Sequence, residues 1–87
     1  MDIRYHSYFL KRFKKLSTNL KGKTISAIGK FTKNPHDPSL QNHKLKGSLA
    51  GKRAFWVTGD IRVIFEEFND YILVIILDVG THNQVYN

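Results

Sequence analysis

Three strand-like runs follow one another late in the chain, residues 53–58, 61–68 and 71–79, with only Gly59-Asp60 and Asn69-Asp70 between them. Connections that short join antiparallel neighbours, because a parallel return needs a crossover of a dozen or more residues. Side chains alternate across a strand, so Ile61, Val63 and Phe65 share one face of the middle run and Arg62, Ile64 and Glu66 the other. Upstream, residues 3–6 read as a short strand. Phe9, Phe13, Leu16 and Leu20 recur at helical spacing with Leu10 beside them, which predicts a helix over 7–17 with Ser7 as its N-cap. Ser17-Thr18-Asn19 reads as a break. A second helix over 20–33 would bury Ile25, Ala27, Ile28 and Phe31 and stop at Asn34-Pro35. Residues 36–51 are polar and turn-rich, with Leu40, Leu45 and Leu49 as anchors to the core. The expected order is therefore β-α-α-β-β-β: an α+β domain with a largely antiparallel sheet, two helices on one face, and the other face partly open.

Size and charge narrow what such a domain does. At 87 residues the chain is a single domain, residues 1–87, with one core and no room for a deep internal chamber, so a functional site is expected in a surface groove. Lys and Arg number 14 against 7 Asp and Glu, a formal charge of +7. The first third concentrates it in Lys11, Arg12, Lys14, Lys15, Lys21, Lys23, Lys30 and Lys33, opposed by Asp2 alone. Lys44, Lys46, Lys52 and Arg53 form a second cluster. A field of that kind favours a polyanionic partner. There is no cysteine, which excludes disulfides, thiolate metal sites and a cysteine nucleophile. No apolar run is long enough to span a membrane, and the first residues lack a signal-peptide pattern, so a cytoplasmic protein without membrane contact is expected.

The residues suited to chemistry are few. His43 opens the basic segment His43-Lys44-Leu45-Lys46-Gly47, and His82 follows Gly80-Thr81 beyond the last strand, where the glycine is expected to allow a tight turn. Four histidines with neither paired spacing nor cysteine do not make a metal site, so no metal and no cofactor is expected. Two imidazoles and a guanidinium are, however, the groups needed to cut RNA through its own 2′-OH. The reaction wants a base for that hydroxyl, an acid for the leaving 5′ oxygen and positive charge on the phosphorane. His43, His82, Arg62 and Lys46 supply such groups. Asp60 would orient a histidine or cap its hairpin. Arg62 would clamp a phosphate or pair with a carboxylate such as Glu66. Tyr86 offers a flat face and a hydroxyl to a nucleotide, Trp56 would stack on a base or simply pack, and Lys44 and Arg53 offer further phosphate contacts.

The order of elements, the segment 43–47, the strand Asp60-Ile61-Arg62-Val63-Ile64-Phe65 and the ending Gly80-Thr81-His82-Asn83-Gln84-Val85-Tyr86 together resemble the RelE/YoeB/YafQ toxins of type II toxin–antitoxin systems, over essentially the whole chain. The resemblance implies a RelE-like, microbial-RNase-like fold and a ribosome-dependent endoribonuclease that cleaves mRNA in the A site. It also implies a cognate antitoxin as partner, besides the ribosome and mRNA. His43, Asp60 and His82 fall where YafQ-like toxins carry catalytic residues, and Arg62 and Lys46 where RelE and YoeB carry basic ones. Tyr86 falls where these toxins place an aromatic that contacts mRNA. Trp56 stands at a histidine of YafQ and Asp78 at an arginine, and the Asp78 carboxylate would repel the scissile phosphate unless Arg62 or Lys46 neutralises it. The same scaffold serves ParE-like toxins, which act on gyrase and cut no RNA. A non-catalytic basic RNA-binding domain and a degenerate toxin that keeps only its antitoxin contact are the further alternatives.

Overall fold

In a computed structural model, described here for residues 1–86, the chain forms a five-stranded sheet with three helices. Asn87 lies outside the described residues. The elements are β1 (Asp2–Tyr5), α1 (Ser7–Lys14), α2 (Thr18–Lys33), β2 (His43–Lys44), β3 (Arg53–Trp56), β4 (Ile61–Phe68), β5 (Leu73–Thr81) and α3 (His82–Tyr86), in sheet order β1-β5-β4-β3-β2. β3, β4 and β5 form the expected antiparallel meander, and the short β2 adds an antiparallel edge to β3. β1 pairs in parallel with β5, Asp2 opposite Leu73 and Tyr5 opposite Ile76. No described helix is long and apolar enough to cross a membrane.

Several local details depart from the sequence reading, each for a physical reason. α1 is capped by His6, whose Nδ1 accepts the amide proton of Tyr8, and not by Ser7, which is already helical. Ser17-Thr18-Asn19 starts α2 instead of merely breaking the chain, since the Ser17 hydroxyl accepts from the Leu20 amide. Thr24, Ala27, Ile28 and Phe31 make the buried stripe of α2 at i, i+3, i+4 and i+7. Ile25 falls off that stripe and is 61% exposed. The last hydrogen-bonded turn of the chain is a helix, α3, because Thr81 and Gln84 form a capping box. The Gln84 amide donates to Thr81 Oγ1 at 3.3 Å and the Thr81 amide donates to Gln84 Oε1 at 2.9 Å.

The main core lies between the helices and one sheet face. Phe31 stacks on Phe55 with ring centroids 4.7 Å apart and meets Phe65 edge-on at 4.8 Å. Phe9, Ile61, Val63, Val74, Ile76, Val79 and the anchor Leu40 complete it. The second face is only partly open. Ala54, Ile64 and Val85 are buried there with Leu45, Leu77 and Tyr86 around them, so α3 covers part of it. A register shift between Ile64 and Phe65 makes this possible: Phe65 pairs with Ile76 but Ile64 pairs with Asp78, which leaves Leu77 as an extra residue. Such a bulge sends two successive side chains to the same face. Leu77 and Asp78 therefore both line the second face. α1 packs along β5, sending Phe9 and Phe13 into the core while Arg12 reaches Asp78.

Candidate active site

The second face carries a groove of about 630 Å³, walled by the β2 segment, the end of β3, β4 and α3. His43, Lys44, Lys46, Trp56, Arg62, His82 and Tyr86, seven of the side chains singled out from the sequence, line it, and no carboxylate does. Arg62 is only 8% exposed. Its placement follows from strand pairing, because Trp56 and Gly80 are its neighbours across β3 and β5. The guanidinium lies 4.2 Å from the Trp56 ring centroid and donates from Nη1 to the Thr58 carbonyl at 2.9 Å. One face and one edge of the cation are thus held by protein, which fixes where its remaining donors point.

His43 is exposed, and its Nδ1 lies 2.7 Å from the Gln41 carbonyl oxygen. A carbonyl only accepts, so in the neutral ring Nδ1 carries the proton and Nε2 presents a lone pair. The carbonyl is aimed by an unusual backbone, Gln41 having φ of +51° in the left-handed region that few non-glycine residues occupy. Across the groove His82 and Tyr86 meet edge to face with centroids 4.3 Å apart, one helical turn from each other on α3. The Tyr86 hydroxyl is buried and has no hydrogen-bond partner among the described residues. Burial pushes its phenol above the ordinary value, and the nearby Arg62 charge opposes that shift. It is a donor without an acceptor, on a residue that lines the groove.

Two candidates lie elsewhere. Asp60 sits exposed at the tip of the β3–β4 hairpin, outside the groove lining, and the hairpin is capped by Thr58 instead, whose hydroxyl accepts from the Asp60 and Ile61 amides. Arg53 alternates to the opposite side of β3 from Trp56 and donates from Nε to Asn42 Oδ1 at 2.9 Å. Asp78 pairs with neither Arg62 nor Lys46. Its Oδ1 accepts from Arg12 Nε at 3.1 Å and from the Val79 amide at 2.7 Å, outside the groove lining, which removes the expected repulsion. Burial nevertheless holds this carboxyl above its usual range, with the Val79 bond and Arg12 pulling the other way. Gly80 does not provide a turn either. It lies within β5 without a positive φ, and what it supplies is space: a Cβ there would meet Gln84 Oε1 at 2.7 Å and Arg12 Nη2 at 3.2 Å.

Sequence reasoning passed over Thr58, Gln41 and Gln84, which position the groove without reacting. Of these only the last left a readable sign, the Thr81-x-x-Gln84 spacing of a capping box. Among the described residues no three His, Asp or Glu side chains gather as a metal site.

The sequence profile described as a bacterial toxin of type II toxin–antitoxin systems, YafQ, matches residues 1–87. The chain belongs to the YafQ toxin family. Solved structures agree on the fold. YafQ from E. coli strain BL21(DE3) superimposes with a TM-score of 0.83 at 23% identity, over 99% of this chain and 98% of that one. A YoeB/ParE toxin from Agrobacterium tumefaciens gives 0.76 at 14% identity, over 94% and 99%. YafQ within the E. coli DinJ-YafQ toxin-antitoxin complex gives 0.72 at 23% identity, over 99% and 97%. None of the curated proteins compared with this YafQ-family chain matches it. The five-stranded sheet, the two long helical segments and the groove described above thus belong to a type II toxin.

Proposed function

We propose that this toxin is a ribosome-dependent endoribonuclease that cuts mRNA in the A site without a metal. The observation that carries the reading is the convergence of His43, Arg62, His82 and Tyr86 on one carboxylate-free groove from three separate segments of the chain. His43 Nε2 takes the proton of the ribose 2′-OH, and the 2′ oxygen attacks the adjacent phosphorus. Arg62, with Lys46, holds the non-bridging oxygens as negative charge develops. His82 gives a proton to the departing 5′ oxygen. The products are a 2′,3′-cyclic phosphate and a 5′-OH. Tyr86 orients the His82 ring, and with it the nucleotide, through their edge-to-face contact, and Lys44 draws the strand in. Trp56 backs Arg62 and presents an edge to a base. Asp60 and Arg53 have no part in this scheme. The basic face of α1 and, on α2, Lys21 and Lys33 hold ribosomal RNA through its phosphates. Since E. coli YafQ is found with DinJ, we infer an antitoxin partner here as well, with acidic segments suited to the +7 charge.

The test is His82→Ala in a translating bacterial extract. General acid catalysis contributes about 10²–10⁴-fold, so cleavage should fall by that much while co-sedimentation with ribosomes persists. Intact cutting by the variant removes His82 from the mechanism. A gyrase-dependent DNA-damage response without cut transcripts would point to ParE-like action instead.

A further inference from the structure

Trp56 is half exposed, and only one side of it belongs to the groove. Its ring also walls a second cleft of about 270 Å³ between α2 and the 3-10 turn Pro38–Leu40. Lys23, Ser26 and Lys30 stand along one face of α2 at i, i+3 and i+7, and Ser39 faces them from the turn. The polar groups are already arranged. Lys30 Nζ donates to Ser39 Oγ at 3.0 Å, and Ser39 Oγ donates to Asp37 Oδ1 at 2.7 Å. Asp37 also accepts from the Ser39 amide, so its carboxylate is turned to the loop and does not line the cleft. Lys30 keeps two N–H directions free, Lys23 all three, and Ser26 adds a hydroxyl. Two ammonium groups face one carboxylate, Asp37, which is bound within its own loop, and no acid lines the cleft, so it suits an anion and not a cation.

From this geometry we infer a second phosphate subsite, at Lys23, Ser26 and Lys30 with Ser39 holding Lys30 in place, for a phosphodiester of the same RNA strand whose reacting linkage sits in the groove. It rests on the reading of that groove as an RNA site. One side chain, Trp56, separates the two cavities, which is the scale of a nucleotide step. A strand leaving Arg62 would pass over the edge of the indole and set its next phosphate between the lysines. The ring stays in place because the Arg62 guanidinium covers its other side. The subsite reads backbone only, so it adds affinity for length and none for sequence.

Trp56 is the chain's one tryptophan and reports on its own surroundings. The experiment titrates the full-length protein with 2′-O-methyl RNA oligonucleotides of two and five nucleotides, which cannot be cut, and follows indole fluorescence across a salt series. Wild type should bind the pentamer more tightly than the dimer. Lys23→Gln/Lys30→Gln should lose most of that gain, keep its affinity for the dimer, and show a salt slope smaller by about 0.7 for the pentamer, the value for one phosphate of a single strand no longer neutralised. Lys14→Gln/Lys15→Gln, with the same net charge on another helix, should keep the gain. Ser39→Ala should lose part of it. A wild type without a length gain, a Lys23/Lys30 variant that retains it, or an equal loss in the Lys14/Lys15 control overturns the subsite. Weakened ribosome sedimentation with an unchanged oligonucleotide gain also overturns it, because the cleft would then serve ribosomal RNA. Transcript cutting is read separately: a protein that cuts nothing but shows the Lys23/Lys30-dependent gain refutes the nuclease reading and leaves the subsite standing.

Discussion

Gly80→Ala separates the geometry of the groove from the stability of the fold. The added Cβ would lie 2.7 Å from Gln84 Oε1 and 3.2 Å from Gln84 Cβ and Arg12 Nη2. To reach the 3.4 Å at which ordinary contact begins, Oε1 must retreat by about 0.7 Å. That retreat breaks the bond it accepts from the Thr81 amide, one half of the box that starts α3. Losing a partly exposed hydrogen bond costs about 0.5–1.5 kcal/mol. Alanine gives back about 0.4–1 kcal/mol by restricting the unfolded chain at a position whose φ it tolerates. Net stability should therefore move by less than about 1 kcal/mol, a melting shift of no more than roughly 8 °C in a domain of this size. Catalysis should fall much further. α3 carries both His82 and Tyr86, and a misplacement approaching 1 Å costs on the order of 10²-fold. The assay pairs urea unfolding with primer extension of a transcript in a translating extract. Cutting should drop about 10- to 100-fold in a protein that remains folded, and the Gly80→Ala loss should shrink in a Gln84→Ala background, where Oε1 is gone. Wild-type cutting by Gly80→Ala, or an equal loss in both backgrounds, would refute the argument.

Arg62→Lys keeps the charge but loses the flat stack on Trp56 and the bond to the Thr58 carbonyl, so cleavage should fall on the order of 10²-fold in the same extract while circular dichroism stays native. Asp78 binds its proton more tightly when folded, because burial outweighs the pull of Val79 and Arg12. The stability of wild type relative to Asp78→Asn should be greatest below the ordinary carboxyl value near 3.8, decline as pH rises through the raised native value, and stay level above it. Urea unfolding of both proteins from pH 3 to 7 checks the slope, and a rise with pH would mean that the Arg12 pair dominates.

Much of this arrangement was legible because it depends on periodicity. The meander, the two helices and the outward turn of Arg62 all follow from alternation and helical spacing in residues that obey them. What escaped notice turns on one-residue events. The Leu77 bulge resets the alternation of β5 and brings Asp78 to the second face, and nothing in a run of aliphatic residues announces it. Basicity alone suggests Arg53 as a phosphate contact, whereas its parity with Phe55, buried in the main core, sets it on the opposite side of β3 from Trp56. Asp60 was attractive as a carboxylate two residues from Arg62, yet the hairpin hydrogen bonds are made by Thr58. The convergence of His43 with His82 depends on β2 pairing with β3 over two residues, too short a strand to be signalled by composition.

The parallel seam between β1 and β5 has a consequence for how such a toxin is made. Asp2 finds its partner only at Leu73, and Tyr5 at Ile76. During synthesis the opening strand must wait, unpaired, for almost everything else to emerge, and α1 waits with it for the strand it packs along. Contacts so distant along the chain are slow to close. An interrupted translation product that stops short of β5 has nothing to join β1 to β4, and lacks the segment bearing His82 and Tyr86. A fragment that ends before β5 therefore carries neither the complete sheet nor the complete groove.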